Sequence, residues 1–399
     1  MSWELTTWQS VCALKYGKAL KNYKHFDDAY PVFGSGGIVG STKNPIAPSE
    51  RVIVSRKGTL TAYWSPAPSH VIDTAFWLEP NANLDSKWSY YAIKNLDVST
   101  LASGSGVPSL SRDDFYREEF RLPPLQHQKA IAHILGTLDD KIELNQKMNQ
   151  TVEDIAKAIF KSWFVDFDPV RAKAEGRPTG LPPEISDLFP AELVDSEIGE
   201  IPKGWRQESI YQFCSVEYGA PFKSKLFNED GQGIPLVRIR DLRKGKSGVF
   251  TEEIHPKGTL IKAGDLVVGM DGEFRCYLWR GTDSWMNQRV CKFVPKENVP
   301  STFIWFALER PLHFIESTEV ATTVIHLGKG DIDDFQFMRS SQELLDQFSK
   351  VTSPLLERMV IASKEIEILA ELRDTLLPKL ISGELRIPDA EKFLEEAGL

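Results

Sequence analysis

The sequence predicts an α+β fold: two pseudo-symmetric, β-rich mixed domains separated by a pair of long antiparallel coiled-coil helices. Three observations carry this expectation. Residues 3–21 recur without a gap at 205–223, so that Trp3, Cys12, Tyr16, Gly17 and Lys21 fall on Trp205, Cys214, Tyr218, Gly219 and Lys223. Residues 110–160 recur at 327–377, with Leu110, Phe120, Leu138, Ile159 and Phe160 falling on Leu327, Phe337, Leu355, Leu376 and Leu377. The second recurrence consists largely of residues whose apolar positions alternate by three and four, the a/d spacing of a coiled coil. Two recurrences in the same order mark an internal duplication. Similar frames around dissimilar middles point to a tandem reader with two different specificities.

Taken in order, residues 1–110 read as short strands and turns. The Gly-rich FGSGGIVG at 33–40, the β-branched RVIVSRKG at 51–58, and the aromatic TAYW and AFWL carry that reading. Residues 111–167 hold the first long helix, with the seam Ile131, Leu135, Leu138, Ile142, Asn145, Asn149, Val152, Ala156, Ile159, Trp163. Residues 168–204 are rich in Pro, Gly and acids and are expected to form an extended connector ordered by contact. Residues 205–330 repeat the strand grammar in GIPLVRIRDLRKGKSG, GDLVVGMDGEF and RVCKFVP. Residues 331–387 hold the second long helix, with the seam Phe348, Thr352, Leu355, Met359, Ala362, Ile366, Leu369, Arg373, Leu376, Leu380. Residues 388–399 form an acidic tail with one short helix. Two such helices in one chain are expected to pair with each other, and antiparallel pairing puts the two domains at opposite ends. Asn145 and Asn149 either fix the register of that pair or face solvent at an imperfect stretch; both readings stay open.

The composition excludes several classes. No apolar run approaches the roughly 20 residues of a membrane span, and MSWELTTWQS lacks a signal pattern, so a cytoplasmic chain is expected. Four cysteines without a CxxC pair favour neither zinc nor a disulfide framework; Cys12 and Cys214, at equivalent positions, read as small buried core residues. The histidines are scattered, with no metal-ligand pair at helical spacing. Gly34, Gly36, Gly37 and Gly40 are misplaced for a dinucleotide fingerprint, and no phosphate loop occurs. Asn44-Pro45 does not continue as the loop by which amino-methyltransferases grip a flipped base. Pro388-Asp389 is not followed by the spaced acid and lysine of many nucleases. The chain therefore reads as a binding protein with no catalytic residue and no metal.

A net charge of −9 argues against nucleic acid, but its distribution does not: residues 231–296 carry twelve Lys/Arg against seven Asp/Glu. A positive patch on an acidic chain suits a protein that grips DNA beside partners carrying more of the phosphate neutralisation. An ordinary solvated surface is the competing reading.

The run LPPLQHQKAIAHILGTLDDKIELNQKMNQTVEDIAKAIFKSWFVDFDPVRAKAEG, 122–176, resembles the central conserved region of type I restriction–modification specificity subunits. LRDTLLPKLISGELRI, 372–387, resembles that family's second conserved region. VPSLSRDDF, 107–115, and HLGKGDIDDF, 326–335, are similar to the two exits from target-recognition domains into the helices, and FGSGGIVG resembles a loop common in such domains. The likeness spans the chain in the order recognition domain, helix, recognition domain, helix. It implies a subunit that reads DNA without catalysis of its own, on a bipartite, asymmetric double-stranded target. It also implies two modification subunits that methylate adenine with S-adenosylmethionine, and restriction subunits that use ATP and Mg. Those cofactors are expected in the partners and none in this chain. Two other readings remain: a coiled-coil scaffold without sequence readout, and the recognition part of a fused restriction–modification enzyme.

From Gln126 to Trp163 is 38 residues, or roughly 57 Å as a helix, an upper limit for a ruler between half-sites. Candidate DNA contacts in the second domain are Arg238, Arg240, Arg243, Lys244 and Lys246, with Arg238 and Arg240 sharing one face of an expected strand. In the first domain they are the backbone of Gly36 and Gly37, helped by Lys43, Arg56 and Lys57. Exposed apolar groups at Phe160, Trp163, Phe164 and Phe167 are expected to dock a partner subunit, with packing inside the chain as the alternative.

Overall fold

Each copy builds the same four-stranded antiparallel sheet from different residues. In the first, Cys12–Tyr16 pairs with Ala75–Pro80, which pairs with Arg51–Ser55, which pairs with Ala62–Ser65. In the second, Cys214–Tyr218, Val290–Pro295, Leu266–Gly269 and Cys276–Leu278 follow in the same order. The register agrees as well: Cys12 lies opposite Pro80 and Cys214 opposite Pro295. Central strands buried on both faces need continuous apolar runs rather than alternation. Val52-Ile53-Val54 and Leu266-Val267-Val268 supply them, all buried. At the end of the first strand of each sheet the backbone of another segment passes so closely that only glycine fits. A Cβ on Gly17 would lie 2.0 Å from the Ile72 carbonyl oxygen, and one on Gly219 would lie 2.1 Å from that of Asn287.

These contacts come from a computed structural model describing residues 3–96, 98–103, 107–318, 326–396 and 398. The chain divides into two compact units, residues 1–143 with 367–399, and residues 144–366. In each unit the entering strand pairs with the strand that leaves for a long helix: Glu4–Thr7 with Glu119–Leu122, and Arg206–Ser209 with Gln336–Arg339. The middles diverge. The first copy inserts a three-stranded sheet of Gly37–Thr42, Tyr30–Gly34 and His70–Val71. The second inserts five short strands, of which Ile234–Val237 is the central one.

The long helices span Leu125–Phe164 and Gln342–Ser382. In the second unit Asn149 bonds Ser363 and Phe160 meets Phe348, so positions rise on one helix as they fall on the other: the pair is antiparallel. In the first unit Asp139 meets Arg373. The seam residues Ile131, Leu135 and Leu138, and Leu369, Leu376 and Leu380, are buried, as the heptad spacing requires. Asn145 and Asn149 are buried too, which removes the solvent-facing reading; Asn149 Nδ2 donates to Ser363 Oγ at 3.1 Å. The start of the first long helix is tied to its domain by Gln128, whose Nε2 donates to the carbonyls of Asn83 and Pro123 while Oε1 accepts from Asp85 N–H.

Residues 168–204 are not extended. Asp168–Ala174 and Pro183–Ser186 are helical, and Leu193–Ser196 pairs with Gly199–Pro202 as a hairpin. Pro169 and Pro183 sit at helix starts, where no amide donor is needed. Ile387–Glu396 forms a short helix. Among the described residues no helix is long and apolar enough to cross a membrane.

Candidate nucleic-acid interface

In the second unit the strand Ile234–Val237 stops one residue before Arg238, and Ile239–Leu242 forms a helical turn. Buried Asp241 sets this boundary: its Oδ2 accepts from the Arg238 backbone N–H at 3.0 Å and from Arg238 Nε at 3.1 Å. Arg238 and Arg240 therefore do not share a strand face. The capping interaction competes with strand extension here and consumes the Arg238 guanidinium internally. The turn packs on the sheet through Ile239 and Leu242, against Gly269, where a Cβ would lie 3.0 Å from Ile239 Cγ2. Buried Ser247 closes the loop by donating to the carbonyls of Leu236 and Val249. What projects from this knuckle is cationic. Arg240, Arg243, Lys244 and Lys246 are exposed and make no ion pair among the described residues. Four cations within seven residues repel one another, and a polyanion relieves that repulsion.

In the first unit the Gly-rich segment is a hairpin, Tyr30–Gly34 against Gly37–Thr42. Gly36 at its tip is exposed with open space around its Cα; Gly37 has φ +96°, and a Cβ there would lie 3.3 Å from the Tyr63 ring. Glycine at 37 thus serves the hairpin's backbone and packing, while Gly36 alone of the pair presents open backbone. The tip is tethered beside Arg56: Ser55 Oγ and Tyr63 Oη both donate to the Ser35 carbonyl. Gly36, Arg56 and Lys57 are brought together in this way. Lys43 is not, since it follows the hairpin's open end and lies 3.9 Å from Asp28.

Phe160, Trp163, Phe164 and Phe167 are buried, which corrects the expectation of an exposed apolar face. They pack on Phe189, Trp205, Phe303 and Phe348, with ring centroids 5.1 Å apart for Phe164–Phe303 and 5.4 Å for Trp163–Phe189. Edges of Phe160, Phe164 and Phe167 line the floor of a groove of about 600 Å³, whose rim carries Lys157, Lys161, Arg171 and Arg310.

The sequence reading passed over several polar clusters. Tyr16 carries two guanidinium groups, from Arg56 and Arg112, over its ring. Tyr91 Oη donates to Asp139 Oδ2 at 2.7 Å, and Arg373 Nη1 lies 2.7 Å from Asp139 Oδ1. Burial, reinforced by Asp139, holds the Tyr91 phenol well above its ordinary range. The recurring Tyr-Gly pair at 16–17 and 218–219 was a signal for the first cluster; nothing local signals the second. The four cysteines are free, and burial pushes the Cys12 and Cys214 thiols up to about 12, so they are poor nucleophiles. No group of three or more potential metal ligands occurs among the described residues.

Two copies of one domain, each feeding a long helix and each presenting its own set of cations, define a tandem recognition protein with unlike reading surfaces. The model of the type I restriction modification DNA specificity domain matches the chain twice, over residues 2–154 and 202–339. The chain belongs to that family. It is 27% identical over 380 residues to the type I restriction enzyme HindI specificity subunit of Haemophilus influenzae, covering 79% of this chain and 82% of that one. To the MjaIX specificity subunit of Methanocaldococcus jannaschii it is 28% identical over 333 residues, covering 78% and 71%. The fold is similar to that of the S subunit of a type I system from M. genitalium, with a TM-score of 0.61 at 18% identity over 96% of each chain.

Proposed function

We propose that the chain is the non-catalytic specificity subunit of a type I restriction–modification enzyme, reading the two halves of a bipartite, asymmetric DNA target with its two domains. One observation carries this reading: the frame is duplicated down to strand register, while the cationic surfaces differ in position and composition. A duplicated frame with identical surfaces would read a repeated half-site; unlike surfaces read unlike half-sites. Arg240 and Arg243 are assigned to base edges or phosphates, and Lys244 and Lys246 to phosphates. In the first domain the assignment is Gly36 backbone, Arg56 and Lys57, with Lys43 and Gly37 in supporting positions. Arg238 orders the knuckle through Asp241.

The long helices set the spacer between half-sites. Two modification subunits dock on the duplicated frame, one of them over the aromatic-floored groove built on Phe160, Phe164 and Phe167, with Trp163 packed behind it. Methylation of adenine with S-adenosylmethionine, and ATP- and Mg-dependent cleavage by restriction subunits, belong to those partners.

The test is methylation-site mapping with the chain assembled on its modification subunits. The wild type is expected to direct methylation to one bipartite sequence. Arg240→Ala with Arg243→Ala is expected to relax one half-site, at about 1–3 kcal/mol for each lost bidentate base contact. Uniform weakening on all duplexes would reassign both arginines to phosphate. Sequence-independent methylation by the wild type would leave a scaffold and overturn the reading.

A further inference from the structure

Tyr16 ends the first strand of the sheet with about half of its surface exposed, its ring set edge-on to Phe76 at 5.0 Å. The guanidinium carbons of Arg56 and Arg112 stand 5.2 and 4.5 Å from its centroid. The two arginines are far apart in sequence and are joined by the sheet: Leu110 N–H donates to the Arg56 carbonyl at 2.9 Å, and Lys57 bridges Ser109. Stacking on a ring is a common seat for one guanidinium. Two on one ring, with a lysine alongside, is an uncompensated concentration of charge.

Among the described residues neither arginine makes an ion pair; Arg56 donates to the carbonyl of Asp73, not to its carboxylate. Of the nearby acids, Asp114 pairs with Arg117 and Glu79 with Lys15. The guanidinium groups thus keep most of their donors free in a fork whose geometry matches phosphate oxygens. The second copy supplies the comparison. At the positions equivalent to Tyr16, Arg56, Lys57, Ser109 and Arg112 it has Tyr218, Met270, Asp271, His326 and Lys329. There the charges are satisfied internally: Asp271 takes His326 at 2.5 Å and Arg289 at 3.5 Å, and Lys329 takes Asp333 at 3.0 Å.

We propose that Arg56 and Arg112, both stacked on Tyr16, form a clamp for a backbone phosphate of duplex DNA in the first domain, and that the equivalent surface of the second domain has no such role. The inference rests on the DNA-reading function above. The clamp contributes affinity without sequence information, because phosphates are alike at every base pair. Losing one charge-assisted contact weakens binding about tenfold and lowers the slope of log affinity against log salt by about one.

The experiment measures binding of the chain, assembled on its modification subunits, to a target and a non-target duplex over a series of salt concentrations. Arg112→Gln, which lies outside the central sheet, and Tyr16→Leu are each expected to weaken both duplexes by similar factors; Arg112→Gln also lowers the salt slope. Lys329→Gln is expected to change neither. An unchanged slope with Arg112→Gln, or weakening confined to the target duplex, would overturn the clamp. Because the wild-type preference for target over non-target is read in the same series, a failure of the clamp with that preference intact is distinct from a failure of the specificity reading, in which the preference itself is absent.

Discussion

The two recognition domains meet their long helices with different side chains at equivalent positions. In the first unit the helix Ser86–Asn95 meets the long helices through polar groups. Tyr91 bonds Asp139, and Asp139 bonds Arg373. In the second unit the equivalent helix, Ser301–Thr318, brings Phe303 and Phe306 against Phe160 and Phe164, which also meet Phe348. Its polar contacts to the long helices include the buried Thr302–Thr352 hydroxyl pair at 2.7 Å and the ion pair Lys157–Glu309, while Arg280, outside this helix, pairs with Glu153. Counting from the matched prolines Pro80 and Pro295, Lys87 corresponds to Thr302 and Tyr91 to Phe306; by the helix repeat, Asp139 corresponds to Leu356. One frame thus tolerates either a charged or an apolar seat. The apolar seat depends on shape, while the charged one depends on every partner being present.

The largest effect is expected where the apolar seat is hollowed. Phe164 touches Phe160, Phe303, Phe348 and Trp205, and Phe164→Ala leaves a cavity among aromatic rings that cannot collapse together. A loss of about 3–5 kcal/mol is expected, read as a drop in the thermal midpoint with hydrogen exchange rising in residues 144–366. Exchange rising equally in the first unit would show that the seats are energetically inseparable and would remove the contrast.

A smaller effect separates the charged seat. Asp139→Leu installs the residue type of the second copy but strands the Tyr91 hydroxyl and leaves Arg373 with Asp374 alone, at an expected cost of about 2–3 kcal/mol. Burial opposes the charged form of Arg373, and its bonds to Asp139 and Asp374 outweigh that effect and push the guanidinium above its ordinary value. Adding Arg373→Leu to Asp139→Leu is expected to restore most of the loss, the two changes coupling strongly in a double-mutant cycle. Additive losses would mean that the pair is incidental to the seat.

The helical half of this contrast was legible in the sequence, and the seats were not. Heptad spacing is a local signal, and most of the seam residues it picks are buried, Asn145 and Asn149 included, with Val152, Ile159, Leu355, Ile366 and Arg373 half-buried. The four aromatics at 160–167 carry no local sign of what covers them; Phe303 and Phe348 come from the far side of the second domain's sequence. Alternation at 236–240 looked like a strand because the cap by Asp241 depends on a buried carboxylate that periodicity does not register. The Pro-rich composition of 168–204 reads as an extended connector, whereas Pro169 and Pro183 start helices. For the interface, charge density pointed to the 240–246 knuckle, whereas the Tyr16 cluster depends on a bridge between strands distant in sequence.

The smallest expected difference is in acid. Where each domain closes onto its long helix, the second unit pairs Glu208 with Arg339 at 2.9 Å and with Arg206; the first has Thr6 and Leu122 at the equivalent positions of Glu208 and Arg339. The hydrogen bond from Arg339 holds the Glu208 carboxyl below its ordinary range, against the opposing effect of burial. A group whose folded value is depressed stabilises the fold above its unfolded value and loses that contribution as pH falls toward the folded one. Acidification below about pH 4.5 is therefore expected to raise hydrogen exchange at 206–209 and 336–339 before it does so at 4–7 and 119–122. Glu208→Gln is expected to abolish the difference, because a neutral amide does not titrate. If the two closures open together in acid, or if Glu208→Gln leaves the order unchanged, the asymmetry lies elsewhere in the domains and not in this ion pair.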